Sequence, residues 1–341
     1  MKIFITVVIC AYKRENFIIE ALDSVLNQDL DRSFYEIIVV KSFKNNQIDE
    51  YALRNNVHLL FVDDEKYGIR LAEAIKVATG EIIVTLDDDD MMVSEKLSVI
   101  KAYFEEEAGV VALYNDFYFI DQDGKAIVVP LRLKESEVMQ RSGMVRLSGS
   151  SISVIRYCSK VGMVFGQMSV RKHLITDHLE YLEKLNLSLD TFLFTLVILS
   201  KMQFLVIPKK LTQVRVHPHG ETQYFSNDID LNKRINNAKK LIEDYNMMIE
   251  MLHYDKNDAL EKVILRLKYY SETLVAMLHP KKIRYFFMSV SMRRIINDFQ
   301  GGRIFGFREF CRECLSLTCL IIMFNLFPAR ISKNLHRNPF S

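Results

Sequence analysis

The chain has few cysteines, no apolar run long enough to span a bilayer, no internal repeat and no low-complexity tract. Each shortage removes a class of protein. Its five cysteines, Cys10, Cys158, Cys311, Cys314 and Cys319, are odd in number and scattered. A disulfide framework needs paired thiols, so the chain reads as a protein of a reducing compartment, the cytoplasm. Cys311 and Cys314 have CxxC spacing, but no second such pair or His couple accompanies them. On a helix the two thiols simply share a face. The apolar stretch at residues 315–327 ends at Pro328 and falls short of the roughly 18–20 residues of a transmembrane helix. The apolar start, residues 3–11, runs straight into Lys13, Arg14 and Glu15. It reads as a first buried strand and not as a signal segment.

What is present is a globular composition. Of 341 residues, 49% are hydrophobic and 26% charged, enough for one catalytic domain with an appendage. The net charge of +2 hides an uneven distribution. Residues 262–341 hold fourteen Lys and Arg against four Asp and Glu. So basic and apolar a tail suits anionic lipid head groups better than nucleic acid.

Short apolar runs at residues 3–10, 37–40, 59–62 and 82–86 alternate with helical patterns at 17–26 and 71–78. Gly80 is placed to cap the second helix. This order predicts an α/β fold with a mostly parallel sheet flanked by helices. Ligands of such sheets collect at the carboxyl ends of the strands, where Tyr12, Lys41, Asp63 and residues 87–90 fall. Asp123-Gly124 between apolar runs predicts a hairpin. Residues 135–166 look less regular, with a loop at 148–153. A buried helix is expected at 191–199 and a strand at 204–207 closed by Pro208. The expected domains are 1–229, catalytic, and 230–341, helical and basic.

Asp87, Asp88, Asp89 and Asp90 form the strongest chemical signal. Adjacent carboxylates repel, which raises their pKa values unless a cation sits among them. An acidic run is often just a solvated loop, but this one follows an apolar strand at the binding edge. Such oxygens suit Mg²⁺ or Mn²⁺, which bridge phosphates.

Three segments carry a family resemblance: residues 6–16 (TVVICAYKREN), 21–28 (ALDSVLNQ) and 78–90 (ATGEIIVTLDDDD). In this order and spacing the chain resembles the inverting family 2 glycosyltransferases, whose catalytic domain has the GT-A (Rossmann-like) fold. The resemblance puts the family's DxD motif on Asp87 and Asp89, with Asp89 holding the metal and Asp88 facing the ribose or the diphosphate. It places Ala11, Tyr12, Arg14, Lys41, Arg70, Asp87 and Asp88 around a nucleotide sugar, with Tyr12 beside the base. Ser94 becomes a helix N-cap. Asp190, opening residues 190–194 (DTFLF), becomes the base that deprotonates the acceptor, in apolar surroundings that would raise its pKa. Residues 215–219 (RVHPH) resemble an Arg-x-His signature, which makes His217 a metal ligand with His219 as its rival. Residues 166–171 resemble an acceptor-side segment.

Two positions depart from the family. Lys41 stands where an acidic residue usually accepts from the base, and lysine only donates. The first strand ends in Cys10-Ala11 where Pro-Thr is commoner. The resemblance implies a UDP- or GDP-sugar donor, a glycan or lipid-linked acceptor, and no nucleic acid. The scattered cysteines and the basic, apolar tail suggest a place in the cytoplasm, at the membrane's cytoplasmic face where that tail would touch lipid. The rivals are a sugar nucleotidyltransferase and a catalytically silent nucleotide-sugar-binding module. The first is disfavoured because the loop after the first strand, residues 10–14, contains no glycine.

Overall fold

The computed structural model describes residues 4–128, 133–161, 167–217, 231–255 and 257–278, and the chain divides between Val216 and His217. Residues 279–341, with Cys311, Cys314, Cys319 and the basic aromatic stretch, lie outside the described residues, as do Gly166 and His219.

The first unit is built on one ten-stranded sheet. Its strands are β1 (Ile5–Ala11), β2 (Tyr35–Lys41), β3 (His58–Phe61), β4 (Ile82–Asp87), β5 (Met91–Met92), β6 (Val110–Ile120), β7 (Ala126–Ile127), β8 (Val145–Ser148), β9 (Gln167–Arg171) and β10 (Gln203–Arg215). The path runs β3-β2-β1-β4-β9-β6-β10-β5, with β7 on β6 and β8 on β10. From β3 to β4 every pairing is parallel. β9 then enters antiparallel between β4 and β6, so the sheet as a whole is mixed.

Around it lie α1 (Ile18–Leu26), α2 (Asn46–Arg54), α3 (Tyr67–Val77), α4 (Lys96–Glu106), α5 (Leu133–Ser142), α6 (Ile152–Lys160), α7 (Lys172–Thr176), α8 (Leu179–Leu182) and α9 (Leu189–Ser200). α1 buries Ile18, Ala21, Leu22 and Val25, the i, i+3, i+4, i+7 stripe of a helix lying on a sheet. Every residue of β1 and β2 is buried, as suits strands covered on both faces. Their polar members solve that burial by pairing. Thr6 Oγ1 donates to Glu36 Oε1 at 2.6 Å, which also accepts from Thr79 N at 2.6 Å and Gly80 N at 3.2 Å. Burial would raise the Glu36 pKa, but these hydrogen bonds outweigh it and hold the carboxyl below its ordinary value.

Several local expectations change. Gly80 is not a helix cap, since α3 ends at Val77 with Ala78 as its C-cap. A Cβ on Gly80 would lie 2.5 Å from Thr6 N, so glycine is required by close backbone approach. Pro208 does not close its strand: β10 continues to Arg215, and the register shifts between Ile207 and Lys210. A bulge tolerates the missing N–H that a regular ladder would not. Ser94 is not an N-cap either, because α4 starts one residue later behind Glu95, with no side-chain cap. The stretch expected to be less regular, residues 135–166, holds most of α5 and all of β8 and α6 within its described part. The hairpin is found as expected, with β6 and β7 antiparallel and Gly124 at φ +79°.

In the second unit α10 (Leu231–Asp255) and α11 (Asp258–Leu278) pack against one another. Ala238, Tyr245, Met248 and Leu252 are buried on α10, and Leu260 and Ile264 on α11. Asn257 Oδ1 accepts from Leu260 N at 3.2 Å and so caps α11. Among the described residues no helix is long and apolar enough to cross a membrane.

Candidate functional site

The parallel half of the sheet delivers its residues to one edge in register. Ala11 pairs with Lys41, Cys10 with Asp87, and Lys41 with Phe61. Beyond β1 the chain turns through Lys13, a non-glycine residue with φ +54°. That left-handed conformation is strained for lysine and is held by a hydrogen bond from Lys13 N to Ser42 Oγ at 3.1 Å. The turn returns Arg14 towards the end of β4. Its Nε donates to both oxygens of Asp88, at 3.1 and 3.2 Å, its Nη2 also meets Asp88, and its Nη1 lies 2.8 Å from Asp89 Oδ2.

The four aspartates are not equivalent. Asp87 ends β4 and is exposed, whereas Asp88, Asp89 and Asp90 are buried. Burial pushes the Asp88 carboxyl up to about 6, with the Arg14 hydrogen bond pulling the other way. Burial, with Asp89 and Asp87 adding to it, holds Asp90 well above the usual carboxylate range. The Asp90 carboxylate accepts from Arg215 N at 2.9 Å.

Sequence reasoning places Arg215 only within the Arg-x-His signature, and the structure gives it a specific place. Fully buried, it donates through Nε to Asp89 O at 2.9 Å and through Nη1 to Gln122 O at 2.7 Å. Its Nη2 donates to Glu20 Oε2 at 2.7 Å, and its guanidinium lies over the Phe17 ring at 4.4 Å. It therefore ties the acidic turn to α1 and to the β6–β7 turn. Lys96, which sequence reasoning passes over, is buried with Nζ donating to Thr212 Oγ1 at 2.7 Å. No sequence signal separates Lys96 from an ordinary surface cation.

Ser24 on α1 and Gln28, just past its C-cap Asn27, are two more fasteners. Ser24 Oγ accepts from Met92 N at 3.0 Å. Gln28 donates to Val93 O at 2.7 Å and accepts from Leu97 N at 2.9 Å. The backbone of the acidic turn and of the residues that follow it is thus pinned by the side chains of Arg215, Ser24 and Gln28.

Arg70 lies buried on α3 with its guanidinium 4.7 Å from the Tyr12 ring and 5.6 Å from that of Tyr67. Its Nη1 donates to Asp64 O at 2.6 Å. Gly68, two residues before Arg70, is packed so closely that a Cβ would lie 1.7 Å from Leu182 O. Lys41 sits at the expected strand end but is buried, 2.7 Å from Asp49 Oδ1 and 2.5 Å from Phe43 O. Its ammonium is directed into α2 and its preceding loop. Cys10 is no nucleophile, because burial pushes its thiol up to about 12.

Asp190 is half-buried in the first turn of α9, which Ser188 precedes without a side-chain cap. The loop before α9 reaches the same edge as Tyr12, since Leu185 O and Asn186 O accept from Gly68 N and Tyr67 N at 3.0 and 3.1 Å. His217, buried, opens the second unit. Among the described residues no three His, Cys, Asp or Glu side chains converge to cage an ion. The donor set still suits Mg²⁺ or Mn²⁺, because such ions at phosphate sites keep water and need only one or two carboxylates. Asp87 and Asp89, on either side of Asp88, are of that kind.

Known proteins place this arrangement. Residues 6–159 match the profile of the family described as Glycosyl transferase family 2. An uncharacterised glycosyltransferase of Methanocaldococcus jannaschii is 25% identical over 225 residues, covering 63% of this chain and 71% of that protein. The poly(ribitol-phosphate) beta-glucosyltransferase of Bacillus spizizenii is 35% identical over 100 residues, which are 27% of this chain and only 16% of that protein. The crystal structure of Staphylococcus aureus TarS 1–349 with UDP superposes with a TM-score of 0.57 at 15% identity, covering 88% of each chain. At that identity the likeness speaks for the fold alone. A sheet whose parallel half carries an acidic turn to its carboxyl edge is the GT-A arrangement, and residues 6–159, a little under half of the chain, match the family 2 glycosyltransferase model.

Proposed function

We propose that this glycosyltransferase moves a sugar, with inversion, from a UDP-sugar to an acceptor hydroxyl, with Mg²⁺ or Mn²⁺ at Asp89. The observation that carries the reading is the meeting of Arg14, Asp88 and Asp89 beside Tyr12 and Arg70 at one sheet edge. Uridine is favoured because TarS, a structural neighbour, was crystallised with UDP and with UDP-GlcNAc. Lys41 does not count against it here, as its ammonium is already matched by Asp49.

The bound ion would offset charge developing on the diphosphate leaving group. Tyr12 gives the base a flat apolar face, and Arg70, braced between two rings, offers a guanidinium to the diphosphate. Asp88, paired with Arg14 before the donor binds, faces the ribose or diphosphate. Asp190 takes the proton from the acceptor hydroxyl as that oxygen attacks the anomeric carbon. The role of His217 rests on the resemblance alone. Catalysis is assigned to residues 1–229. Residues 230–341 form a basic extension suited to a glycan acceptor at a lipid surface, such as a lipid-linked sugar.

Replacing Asp89 with Ala should abolish transfer. Asp190→Asn should leave donor binding intact while turnover falls roughly 10²–10⁴-fold. Unchanged turnover in both variants refutes the assignment. The product tells a transferase from a nucleotidyltransferase: nucleoside diphosphate in the first case, pyrophosphate in the second. Washing membranes with high salt and then detergent tests the extension, and full recovery of the protein without either excludes lipid contact.

A further inference from the structure

Three buried carboxylates in succession need compensating charge, and the structure shows where some of it comes from. Arg14 holds Asp88 through Nε and Nη2 and reaches Asp89 Oδ2 with Nη1 at 2.8 Å. Arg215 serves differently. It approaches the run through the backbone oxygen of Asp89 and through its own backbone N–H, and its guanidinium is matched by Glu20 at 2.7 Å. Among the described residues, the run's own carboxylates meet the guanidinium of Arg14, brought there by the left-handed turn at Lys13. The Arg14 side chain is still 23% exposed, against 3% for Asp88, so it can leave without unpacking the core.

We propose that Arg14 is the resident counter-cation of the acidic run, and that a divalent ion binds Asp89 tightly only when a nucleotide diphosphate has drawn Arg14 away. This rests on the reading of Asp89 as the metal ligand. The physical case is one of charge and geometry. A guanidinium already 2.8 Å from Asp89 Oδ2 repels a doubly charged ion seeking the same carboxylate. Burial lowers the local dielectric and strengthens that repulsion. A diphosphate offers the same planar fork a partner of equal quality, since guanidinium pairs with phosphate as it does with carboxylate. Moving from Asp89 to the diphosphate therefore preserves the ion pairing of Arg14 while freeing the carboxylate. Metal and nucleotide would then bind as a coupled pair, each raising the affinity for the other by the same factor.

The opposite view makes Arg14 a structural clasp that keeps the carboxylates in place for the metal. The two views differ in sign. Mn²⁺ binding to the full-length protein can be measured by the loss of the free-ion electron paramagnetic resonance signal, with and without UDP. The expected result is weak binding to the wild type alone and tight binding once UDP is present. Arg14→Gln should bind Mn²⁺ without UDP about tenfold more tightly than the wild type, and its gain from UDP should shrink by about the same factor. Arg14→Lys, which keeps the charge, should behave nearer the wild type. If Arg14→Gln binds Mn²⁺ no better, or worse, while UDP still helps every variant, the competition is overturned and the metal reading stands. If Mn²⁺ binds none of the proteins in either condition, the metal reading fails and takes the proposal with it.

Discussion

Lys96 is an ammonium where water does not reach. Its Nζ has Thr212 Oγ1 as a hydrogen-bond partner, and burial pushes its pKa down to about 7 despite the nearby charge of Asp90. The ordinary value is 10.5, so between about pH 7 and 10.5 the unfolded chain holds a proton that the folded one releases. Stability should therefore rise with pH across that window, by at most about 1.4 kcal/mol per unit, and be lost as pH falls towards 7. Lys96→Met removes this dependence and leaves Thr212 Oγ1 with Asn115 Nδ2 as a donor at 3.3 Å. Urea unfolding at pH 7 and pH 9 should show the wild type gaining about 2–3 kcal/mol relative to the variant. Parallel profiles would refute the burial argument. Nothing in the string Ser94-Glu95-Lys96-Leu97 marks this lysine as buried. Its environment is supplied by Thr212, 116 residues away in sequence.

At the scale of elements, the segments that carry the family resemblance divide into chemistry and fastening. Asp87–Asp90, Tyr12 and Arg14 gather at the sheet edge, while Thr6, Thr79 and Gly80 meet on Glu36 at the opposite end of β1 and β4. Ser24 and Gln28 hold the backbone at Met92, Val93 and Leu97. The glycines test this picture. Gly80→Ala drives a Cβ to within 2.5 Å of Thr6 N and 2.6 Å of Ile5 C, both backbone atoms at the start of a central strand. It should cost about 3 kcal/mol. Gly68→Ala meets Leu182 O at 1.7 Å, so α3 must shift and carry Arg70 from Tyr12. That variant should lose both stability and donor affinity. Gly109→Ala, with no atom within 4 Å of its Cβ, is the control and should stay within about 0.5 kcal/mol of the wild type. Chemical denaturation of the three variants decides the matter, and a stable Gly80→Ala would show the close approach to be unimportant.

On the scale of the whole molecule, a preformed donor site should couple to global unfolding. A nucleotide sugar present at a hundred times its Kd adds about 2.7 kcal/mol to the folded state. UDP-sugars with Mn²⁺ should thus raise the melting temperature by several degrees, and GDP-sugars by less. A flat response to every nucleotide sugar would count against the donor reading, and a larger response to GDP-sugars would transfer it to guanosine. Because stabilisation by mass action registers binding wherever the acceptor lies, the measurement does not depend on residues 230–341.

The sequence by itself determined the parallel half of the sheet, since β1, β2 and β4 are apolar runs with helical patterns between them. It also determined that an acidic turn follows β4, because strand, turn and charge are all local signals. The tertiary structure decided what those charges are. Asp87 is exposed and its three neighbours buried, Arg14 lies against Asp88 and Asp89, and Arg215 secures the turn from more than 120 residues away. It also turned Lys41 into α2, made Gly80 a point of contact between strands, and inserted β9 against the direction of its neighbours. The reason is the same in each case. Periodicity reports which face of an element is apolar, whereas the partner of a buried charge depends on which distant strand packs beside it.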